Sequence, residues 1–473
     1  MATKIRFTRL GKNVDGTLEG SCGVMDVMVG DLVTTRLVVD CGSIPRPGVN
    51  PLDTLNLNFF KGGKPIDAVF ITHSHGDHCG LVPCLVPFLA PNAKIFGTTS
   101  TIAALRETWT YELRDLTSAD GKLKLSYDAT AITVALGRLS AILTAGAHKF
   151  LGLETLVWPA GHMHGACSYT FRIGGHHVHY AGDTCDHAMP GLDGRKPLPE
   201  GWSIDIAAGV DCTYGASGQT PSWADEAARL IREVRAALEA GQKVMFFAFG
   251  QERGGAIAEL LSVSGIAADF PVYMDGACRV FTQLFTSDEN LWSRGERAFQ
   301  IKGVKMIKDW KERLRIARSD KPYVIIAAPG MGGPGGVSGA FWRQQNLPNR
   351  DALVAFSGFV APGTDGHQIL AKAAERSAKG GTPFLTFVEQ TRENPESHAN
   401  TMPLRAQVDQ YRIGGHNSQE LTYGWFAENR PKIAILCHGD QAAIDRVERH
   451  LEGLGIKSVR ADQTPSVTLT LED

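Results

Sequence analysis

Residues 73–78 read HSHGDH and follow directly after the apolar run Ala68–Ile71, which predicts a buried strand. This hexapeptide contains three imidazoles and one carboxylate, a dense set of potential metal ligands. His73 and His75 are one residue apart and can point the same way, whereas Asp77 and His78 lie further along the loop and can face a second ion. Imidazole and carboxylate ligands suit zinc, and manganese or iron is also compatible with them. The competing interpretation is a polar surface loop with chance histidines, and the density of ligands argues against it.

The composition is typical of a soluble globular protein with more than one domain. The chain has 473 residues, of which 43% are hydrophobic and 21% are charged. This length predicts two or three domains. The net charge of −2 gives no overall basic field that would favour a nucleic-acid partner, although a local basic groove is compatible with it.

The expected location is the cytoplasm. The nine cysteines are scattered without a CxxC pair, a usage that favours reduced thiols over disulfides. No run of about 20 apolar residues predicts a membrane span. The first residues also lack the apolar segment of a signal peptide.

The first part of the chain is predicted to be rich in strands, because turn signals recur at short intervals. A helix is predicted around Ser100–Leu116. The predicted strands are Lys4–Leu10, Leu32–Val39, Ile66–Ile71, Ala131–Ala135, Lys149–Leu156, Ser168–Ile173 and His177–Tyr180.

The pattern changes after Asp211 to strands that alternate with helices, which predicts a parallel α/β sheet. Pro221–Glu239 has apolar residues at helical spacing. The apolar strands that follow are Val244–Phe249, Val272–Met274, Tyr323–Ala328 and Leu353–Phe356. The end of the chain returns to a strand, Lys432–Cys437, and a helix, Gln441–Leu454.

HSHGDH after an apolar strand resembles the signature motif of the metallo-β-lactamase superfamily. Three downstream segments resemble the later motifs of that family: Gly161-His162, the run Tyr180–Asp183, and His438 at the end of an apolar strand. The resemblance implies an αββα sandwich that binds two Zn²⁺, with Mn²⁺ as an alternative. The implied ligands are His73, His75 and His162 for one ion, Asp77, His78 and His438 for the other, and Asp183 as a bridge between them. The neighbouring His176, His177 and His179 are interpreted as strand residues rather than ligands.

The spacing of the motifs resembles the β-CASP branch of this superfamily, most of whose members are nucleases. Asp183 and His438 are 255 residues apart (438 minus 183), and the predicted α/β segment fills the interval. The resemblance implies three segments: a first part of the metallo-β-lactamase domain at 1–215, an inserted β-CASP domain at 216–405, and a C-terminal return at 406–473.

Further matches to the branch concern residues beside the metal ligands. Asp211, shortly before Thr213-Tyr214-Gly215, resembles motif A, and His416 resembles the histidine of motif B. The sequence departs from the usual motif B, because Gly414-Gly415 replaces serine-alanine and Ser418 stands where an aspartate is common. The glycine-rich loops resemble the substrate-facing loops of the branch, which implies substrate binding by Gly332, Gly333, Gly363 and Thr364.

The resemblance also implies roles in hydrolysis. Two metals lower the pKa of a shared water, and Asp183 holds their spacing. Asp77 is a ligand that could also accept the proton of the water. His416 is the expected proton donor to the leaving oxygen, and Asp211 is expected to orient a histidine.

We therefore expect a zinc-dependent nuclease that cuts single-stranded RNA, either internally or from the 5′ end. A nuclease of the same mechanism that acts on DNA is the first alternative, because nothing in the sequence reads the sugar 2′-hydroxyl. A hydrolase of a small ester, thioester, lactam or cyclic nucleotide is the second, and an inactive scaffold subunit is the third. A homodimer or a partner protein is compatible with all of them.

Overall fold

The computed structural model describes residues 3–11, 13–14, 17–18, 20–43, 50–117, 125–215, 222–292, 295–333, 337–389, 398–461, 463 and 466–471. The chain divides into two compact units. Unit 1 comprises Met1–Thr220, Glu289–Glu296 and Gly415–Asp473, and unit 2 comprises Pro221–Asp288 and Arg297–Gly414.

The elements of unit 1 before the insertion are β1 (Thr3–Arg9), β2 (Asn13–Val14), β3 (Thr17–Leu18), β4 (Gly23–Val29), β5 (Leu32–Val39), β6 (Ile66–Phe70), α1 (Gly76–Cys79), β7 (Leu89–Thr98), α2 (Thr99–Thr117), α3 (Ala129–Arg138), β8 (Leu139–Ile142), β9 (Gly146–Phe150), β10 (Leu153–Pro159), β11 (Cys167–Ile173), β12 (His176–Gly182) and β13 (Ile206–Asp211). The elements of unit 2 are α4 (Trp223–Glu239), β14 (Lys243–Phe247), α5 (Arg253–Val263), α6 (Ile266–Asp269), β15 (Val272–Asp275), α7 (Gly276–Leu284), β16 (Val304–Met306), α8 (Trp310–Ala317), β17 (Val324–Ala327), α9 (Val337–Asn346), β18 (Ala352–Phe356), α10 (Asp365–Lys379), β19 (Phe384–Glu389), β20 (His398–Pro403) and β21 (Gln407–Gln410). Unit 1 resumes with α11 (Gln419–Asn429), β22 (Ile433–His438), α12 (Gln441–Leu454), β23 (Lys457–Arg460) and β24 (Ser466–Leu471).

Unit 1 contains two seven-stranded sheets that pack face to face. Their strand orders are β24-β1-β4-β5-β6-β7-β8 and β23-β22-β13-β12-β11-β10-β9. The inner faces meet in an aromatic cluster, in which the Phe70 ring lies 5.1 Å from Tyr169 and 5.3 Å from Phe171. Offset and edge-to-face rings of this kind contribute beyond their burial of apolar area.

Helices cover the outer faces of both sheets. On the first sheet, Ile102 and Trp109 of α2 and Ile132 of α3 join a second buried cluster. On the second sheet, Phe426 of α11 and Ile444 of α12 join another. The layers therefore run helix, sheet, sheet, helix, which confirms the predicted αββα sandwich.

Unit 2 is built on a six-stranded parallel sheet with the order β16-β15-β17-β14-β18-β21. Both faces of this sheet are covered by apolar clusters. A parallel strand that is buried on both faces reads as a continuous apolar run, as Val244–Phe247 does. The inserted α/β domain is thereby confirmed as part of the fold class.

Unit 2 extends to Gly414, whereas the inserted segment was expected to end at residue 405. Residue 406 precedes β21, and β21 pairs with β18 inside unit 2. The chain therefore returns to unit 1 at Gly415. The short segment Glu289–Glu296 also belongs to unit 1, which nothing in the sequence indicated.

Two secondary-structure predictions are wrong. Ala131–Ala135 is not a strand but part of α3, because Asp128 caps the helix by accepting a hydrogen bond from the Ala131 N–H at 2.8 Å. Ile132 and Ala135, three residues apart, face the core. The predicted strand Lys149–Leu156 is a hairpin of β9 and β10, whose turn places both Leu151 and Gly152 at positive φ. Among the described residues, no helix is both long and apolar enough to cross a bilayer.

Candidate metal centre

The strand ends of unit 1 bring the candidate ligands of the motifs to one edge of the sandwich. HSHGDH follows β6, Asp183 follows β12, and His438 ends β22. Strands β12, β13 and β22 are parallel neighbours, and Asp211 is paired in register with His438. Because the carboxyl ends of parallel strands share one edge of a sheet, residues far apart in sequence meet there.

Two glycines hold the loops that carry His162 and Asp183. Gly161 has φ +76°, and a Cβ there would lie 2.2 Å from the Cys185 carbonyl oxygen. Gly182 has φ +63°, and a Cβ there would lie 2.8 Å from the Thr72 side chain. Any larger residue at either position would be strained and would clash, so these glycines fix the approach of the neighbouring side chains.

The predicted ligands form two groups, and a third group of His162, Asp183 and His416 overlaps both. His73, His75 and His162 have ligand atoms within 4.8 Å of one another, and so do Asp77, His78, Asp183 and His438. These are the seven residues that the resemblance implied, and the structure brings all of them together.

Asp183 lies between the two groups. Its Oδ2 is 3.7 Å from His73 Nε2 and 3.7 Å from His162 Nε2. Its Oδ1 is 3.2 Å from His78 Nε2 and 3.9 Å from His438 Nδ1. Each carboxylate oxygen thus faces a different group, the arrangement that a bridging ligand needs.

Outer contacts orient the imidazoles. His78 donates from Nδ1 to Asp40 at 2.8 Å, and Asp40 also accepts the backbone and hydroxyl hydrogens of Thr72, each at 2.8 Å. His162 donates from Nδ1 to the Gly415 carbonyl at 2.6 Å. Hydrogen bonds at Nδ1 set the tautomer and present Nε2 to the centre, as they do around metal-binding histidines.

The electrostatics favour a bound cation. Burial opposes the ionisation of Asp183, but attraction to His78 and His438 outweighs it and holds the pKa of this carboxyl well below its usual range. Asp77 likewise has a lowered pKa, because His78 and His438 offset the effect of burial. The pKa of His78 is raised well above its usual value, since Asp183, Asp40 and Asp77 overcome burial. The two carboxylates are therefore ionised at neutral pH inside the fold.

The residues fit divalent metal ions. His73 is fully buried, and its Nε2 has no hydrogen-bond partner in the part of the chain that the structure describes. A buried polar atom of this kind requires a partner. Three imidazoles on one side, and imidazoles with carboxylates on the other, are the donor sets that zinc and similar ions prefer.

His416 lies beside this centre and is held by Asp211. Its Nδ1 donates to Asp211 Oδ2 at 2.8 Å and lies 3.9 Å from Asp183 Oδ2. Asp211 also accepts the Thr213 N–H at 2.9 Å. Burial lowers the pKa of His416, but Asp211 outweighs burial, so the net shift is upward. With Nδ1 engaged, Nε2 is the nitrogen that can exchange a proton.

Two family models match the chain. The Beta-lactamase superfamily domain matches residues 35–242, and the Beta-Casp domain matches residues 256–369. The chain belongs to the β-CASP branch of the metallo-β-lactamase superfamily. The predicted class, a hydrolase of this family, is confirmed, and the fold implies bound metal ions.

Several curated proteins are similar to this β-CASP chain. The RNase J-like protein of Methanocaldococcus jannaschii is 24% identical over 86% of the chain and 87% of its own length. Transcription termination factor FttA of Methanosarcina mazei is 24% identical over 86% of the chain, and cleavage and polyadenylation specificity factor 73 of Drosophila melanogaster is 22% identical over 88%. The chain spans 64% and 58% of the lengths of these last two proteins.

One solved structure shows that the fold extends over the whole chain. A protein of unknown function from Enterococcus faecalis V583 matches with a TM-score of 0.58 and 12% identity, covering 99% of this chain and all of its own. At that identity the match concerns the fold alone.

The predicted substrate loops lie in unit 2. Gly332 and Gly363 adopt positive φ, and Thr364 caps α10 by accepting the His367 N–H at 3.3 Å. A Cβ on Gly332 would lie 3.1 Å from Gly366 N, so the two loops pack together. Turn and cap geometry therefore accounts for Gly332, Gly363 and Thr364, and a Cβ on Gly333 would meet nothing.

Sequence reasoning missed two carboxylates that support the centre. Asp40 follows the apolar strand β5 and adopts φ +61°, which is rare outside glycine. Its place at a strand end was the available signal. Glu296 accepts the Gly165 N–H at 2.6 Å and so supports the loop that carries His162. Glu296 comes after Pro221–Asp288, the first segment of unit 2. It is far from Gly165 in sequence, and no local pattern predicts the contact.

Proposed function

We propose that this chain is a metal-dependent nuclease that hydrolyses phosphodiester bonds in single-stranded RNA. The observation that carries the proposal is the pair of candidate ligand groups with Asp183 between them, and the His416–Asp211 pair beside them. A two-ion site with an adjacent proton donor matches the chemical needs of in-line phosphodiester hydrolysis.

The proposed metals are two Zn²⁺, with Mn²⁺ as an alternative. The proposed ligand sets are His73, His75 and His162 for one ion and Asp77, His78 and His438 for the other, with Asp183 shared by both. Bound there, the ions would supply Lewis acidity, lowering the pKa of a water and stabilising negative charge on the phosphate.

The chain's own residues would hold and move the protons. Asp77 is ionised and half-exposed, so its carboxylate can take up the proton that the attacking water releases. His416, oriented by Asp211, would deliver a proton from Nε2 to the departing 3′ oxygen. The raised pKa of His416 keeps a larger share of it protonated at neutral pH, the state that a donor needs.

RNA is the proposed substrate because of the relatives. The names RNase J-like protein and cleavage and polyadenylation specificity factor 73 refer to RNA processing, and a whole inserted domain suits a long polymer more than a small ester or lactam. In this proposal Gly332, Gly333, Gly363 and Thr364 would line the path of the phosphates, with the backbone N–H groups of Gly333 and Gly363 as donors. The N–H groups of Gly332 and Thr364 already donate to the Pro329 and Ala361 carbonyls. All seven proposed ligands lie close together, which argues against an inactive scaffold.

A cytoplasmic location is part of the proposal. All nine cysteines are free, and eight of them are buried. Buried free thiols suit a reducing compartment. A homodimer or a partner protein stays a prediction.

The test is cleavage of matched single strands. Zinc-loaded protein is incubated with 5′-labelled and 3′-labelled RNA and DNA of one sequence, next to the double variant Asp77→Ala/His78→Ala. We expect RNA cleavage that the variant loses, and the two labels separate internal cuts from 5′ trimming. Cleavage of DNA alone would reassign the substrate. Cleavage of neither, by protein that binds two zinc ions, would contradict the nuclease proposal and favour a small-molecule hydrolase.

A further inference from the structure

A cavity lies in unit 1 on the outer face of the second sheet, apart from the metal centre. Its volume is about 220 Å³. Its floor consists of side chains from three strands: Trp158 of β10, Ser168 of β11 and His179 of β12. Its walls include Trp425 of α11 and Arg195, which lies between β12 and β13. None of these residues has a role in the proposed hydrolysis.

His179 lines this cavity, and one of its ring nitrogens is buried without a hydrogen-bond partner among the described residues. The side chain is 2% exposed, and its Nδ1 shares a hydrogen bond of 2.8 Å with the Thr170 hydroxyl. Nε2 has no hydrogen-bond partner among the described residues. Burial, with a contribution from Arg195, lowers the pKa of His179 to about 3. The ring is therefore neutral, and Nε2 can donate or accept one hydrogen bond, depending on the tautomer.

The walls offer flat aromatic surface. Trp158 donates its indole N–H to the Pro197 carbonyl at 2.9 Å, which fixes the ring. Trp425 lies with its ring centroid 5.9 Å from His179 and 5.0 Å from the Arg195 guanidinium carbon. A cavity between two half-buried indoles suits a planar ligand.

The positive charge in the wall is already neutralised. Arg195 forms an ion pair with Asp186, with Nε–Oδ1 2.6 Å and Nη2–Oδ2 2.9 Å. Lys196 pairs with Asp193 at 3.4 Å. The exposed carboxylate of Glu428 also lines the cavity. The lining charges therefore do not favour a phosphate, and the cavity favours an uncharged ring that carries hydrogen-bonding atoms at its edge.

We propose that this cavity binds a nucleobase, stacked against Trp425 or Trp158 and hydrogen-bonded to His179 Nε2. A cavity of about 150 Å³ accommodates a benzene ring, so the volume here suffices for a larger heterocycle. A free nucleoside and an RNA strand both supply this chemistry, and the test distinguishes them. The choice of a nucleobase among planar rings rests on the proposed RNA substrate, whereas the cavity and His179 do not.

The test uses ¹⁹F NMR of the zinc-loaded full chain labelled with 5-fluorotryptophan. The chain has eight tryptophans, and Trp158→Phe and Trp425→Phe assign the two signals of the cavity. Adenosine, guanosine, cytidine and uridine are titrated separately. Nucleosides contain no phosphodiester bond, so the result does not depend on whether the protein is a nuclease. A nuclease-resistant phosphorothioate RNA octamer is the second arm.

We expect saturable shifts of the Trp158 and Trp425 signals, with binding weakened roughly five- to a hundredfold by Trp425→Leu, the effect of losing a base–aromatic stack. His179→Phe, which removes the ring nitrogens, should also weaken binding. The matched control is Trp202→Leu, because Trp202 stacks on His177 at 5.1 Å and does not line the cavity. Thermal melts establish that each variant is folded.

Shifts with nucleosides identify a free base as the ligand, and shifts with the octamer alone identify the strand as its source. Either result supports the proposal. It is overturned if neither probe moves the two signals, or if Trp202→Leu weakens binding as much as Trp425→Leu and His179→Phe do.

Discussion

Two buried histidines, His78 beside strand β12 and His179 on it, have pKa values shifted in opposite directions. At the carboxyl end of the strand, Asp183 faces His78, which lies among three carboxylates and has a strongly raised pKa. On its outer face, burial lowers the pKa of His179 to about 3, with a smaller contribution from Arg195. Both rings are almost fully buried. Burial lowers the pKa of both rings, but the three carboxylates around His78 outweigh burial there, whereas Arg195 adds to the effect of burial at His179.

The two regions are joined by a short hydrogen-bonded link. Asp186, the ion-pair partner of Arg195 in the cavity wall, donates its backbone N–H to Asn417 Oδ1 at 2.7 Å and accepts from Asn417 Nδ2 at 3.0 Å. Asn417 directly follows His416. The wall of the cavity and the loop that carries His416 are therefore connected by direct hydrogen bonds.

The largest expected effect comes from Asp183→Asn. The amide keeps the shape but removes the charge that both ligand groups share, so we expect a loss of at least about a thousandfold in RNA cleavage. Metal content, measured by inductively coupled plasma mass spectrometry, should fall as well. His177→Gln is the matched control on the same strand, because His177 stacks on Trp202 outside the centre. Full activity of Asp183→Asn would show that RNA cleavage does not depend on the metal centre.

His416→Gln is expected to lower kcat by about a hundredfold to ten-thousandfold, the range for a general acid, with metal content unchanged. Asp211→Asn should have a smaller effect of the same kind, because Asp211 acts through His416. The double variant should be no worse than His416→Gln alone, since the two residues work as a pair. Single-turnover kinetics measure this, and fully additive losses would show that the pair does not act together.

Asp40→Asn should weaken metal binding by about ten- to a hundredfold, as expected for a carboxylate that orients a ligand. The reason is the 2.8 Å hydrogen bond from His78 Nδ1. Competition with a zinc chelator measures the affinity, and excess zinc should restore cleavage. A variant that binds zinc as tightly as the parent would mean that Asp40 serves folding alone.

The smallest expected effect concerns the pH dependence of stability at His179. Its folded-state pKa of about 3 lies below the unfolded value of about 6.5. The unfolded chain therefore binds the extra proton first, and this contribution to stability is full at pH 8 and is lost as the pH falls from about 6.5 toward 3. At pH 5 the loss is about 2 kcal/mol. His179→Gln cannot take up that proton, so its melting temperature should fall less than that of the parent between pH 8 and pH 5; an equal fall would contradict the buried neutral state.

The sequence predicted much of the fold and of the metal centre because their signals are local. HSHGDH places four candidate ligands within six residues. His162, Asp183 and His438 each lie in a short motif that can be recognised from its neighbouring residues. Asp40 and Glu296 escaped prediction because their contacts arise from topology. Asp40 contacts Thr72 because β5 and β6 are parallel neighbours. Glu296 contacts Gly165 although the two are 131 residues apart in sequence.

Local propensity also misled in one place. The β-branched residues near Ala131 favour a strand, but the Asp128 cap and the burial of Ile132 favour the helix that forms. The cavity around His179 had no sequence signal, because its residues come from three strands, a loop and α11. An isolated histidine on a strand gives no indication of what it faces.

The central claim is that the shared site at the strand ends holds two ions on which RNA hydrolysis depends. The most direct test is a zinc titration of the metal-stripped chain, with cleavage of end-labelled single-stranded RNA as the readout. We expect no cleavage without metal and a rise that reaches its plateau at about two equivalents of zinc per chain. Cleavage by the stripped chain, or a plateau at one equivalent, would contradict it.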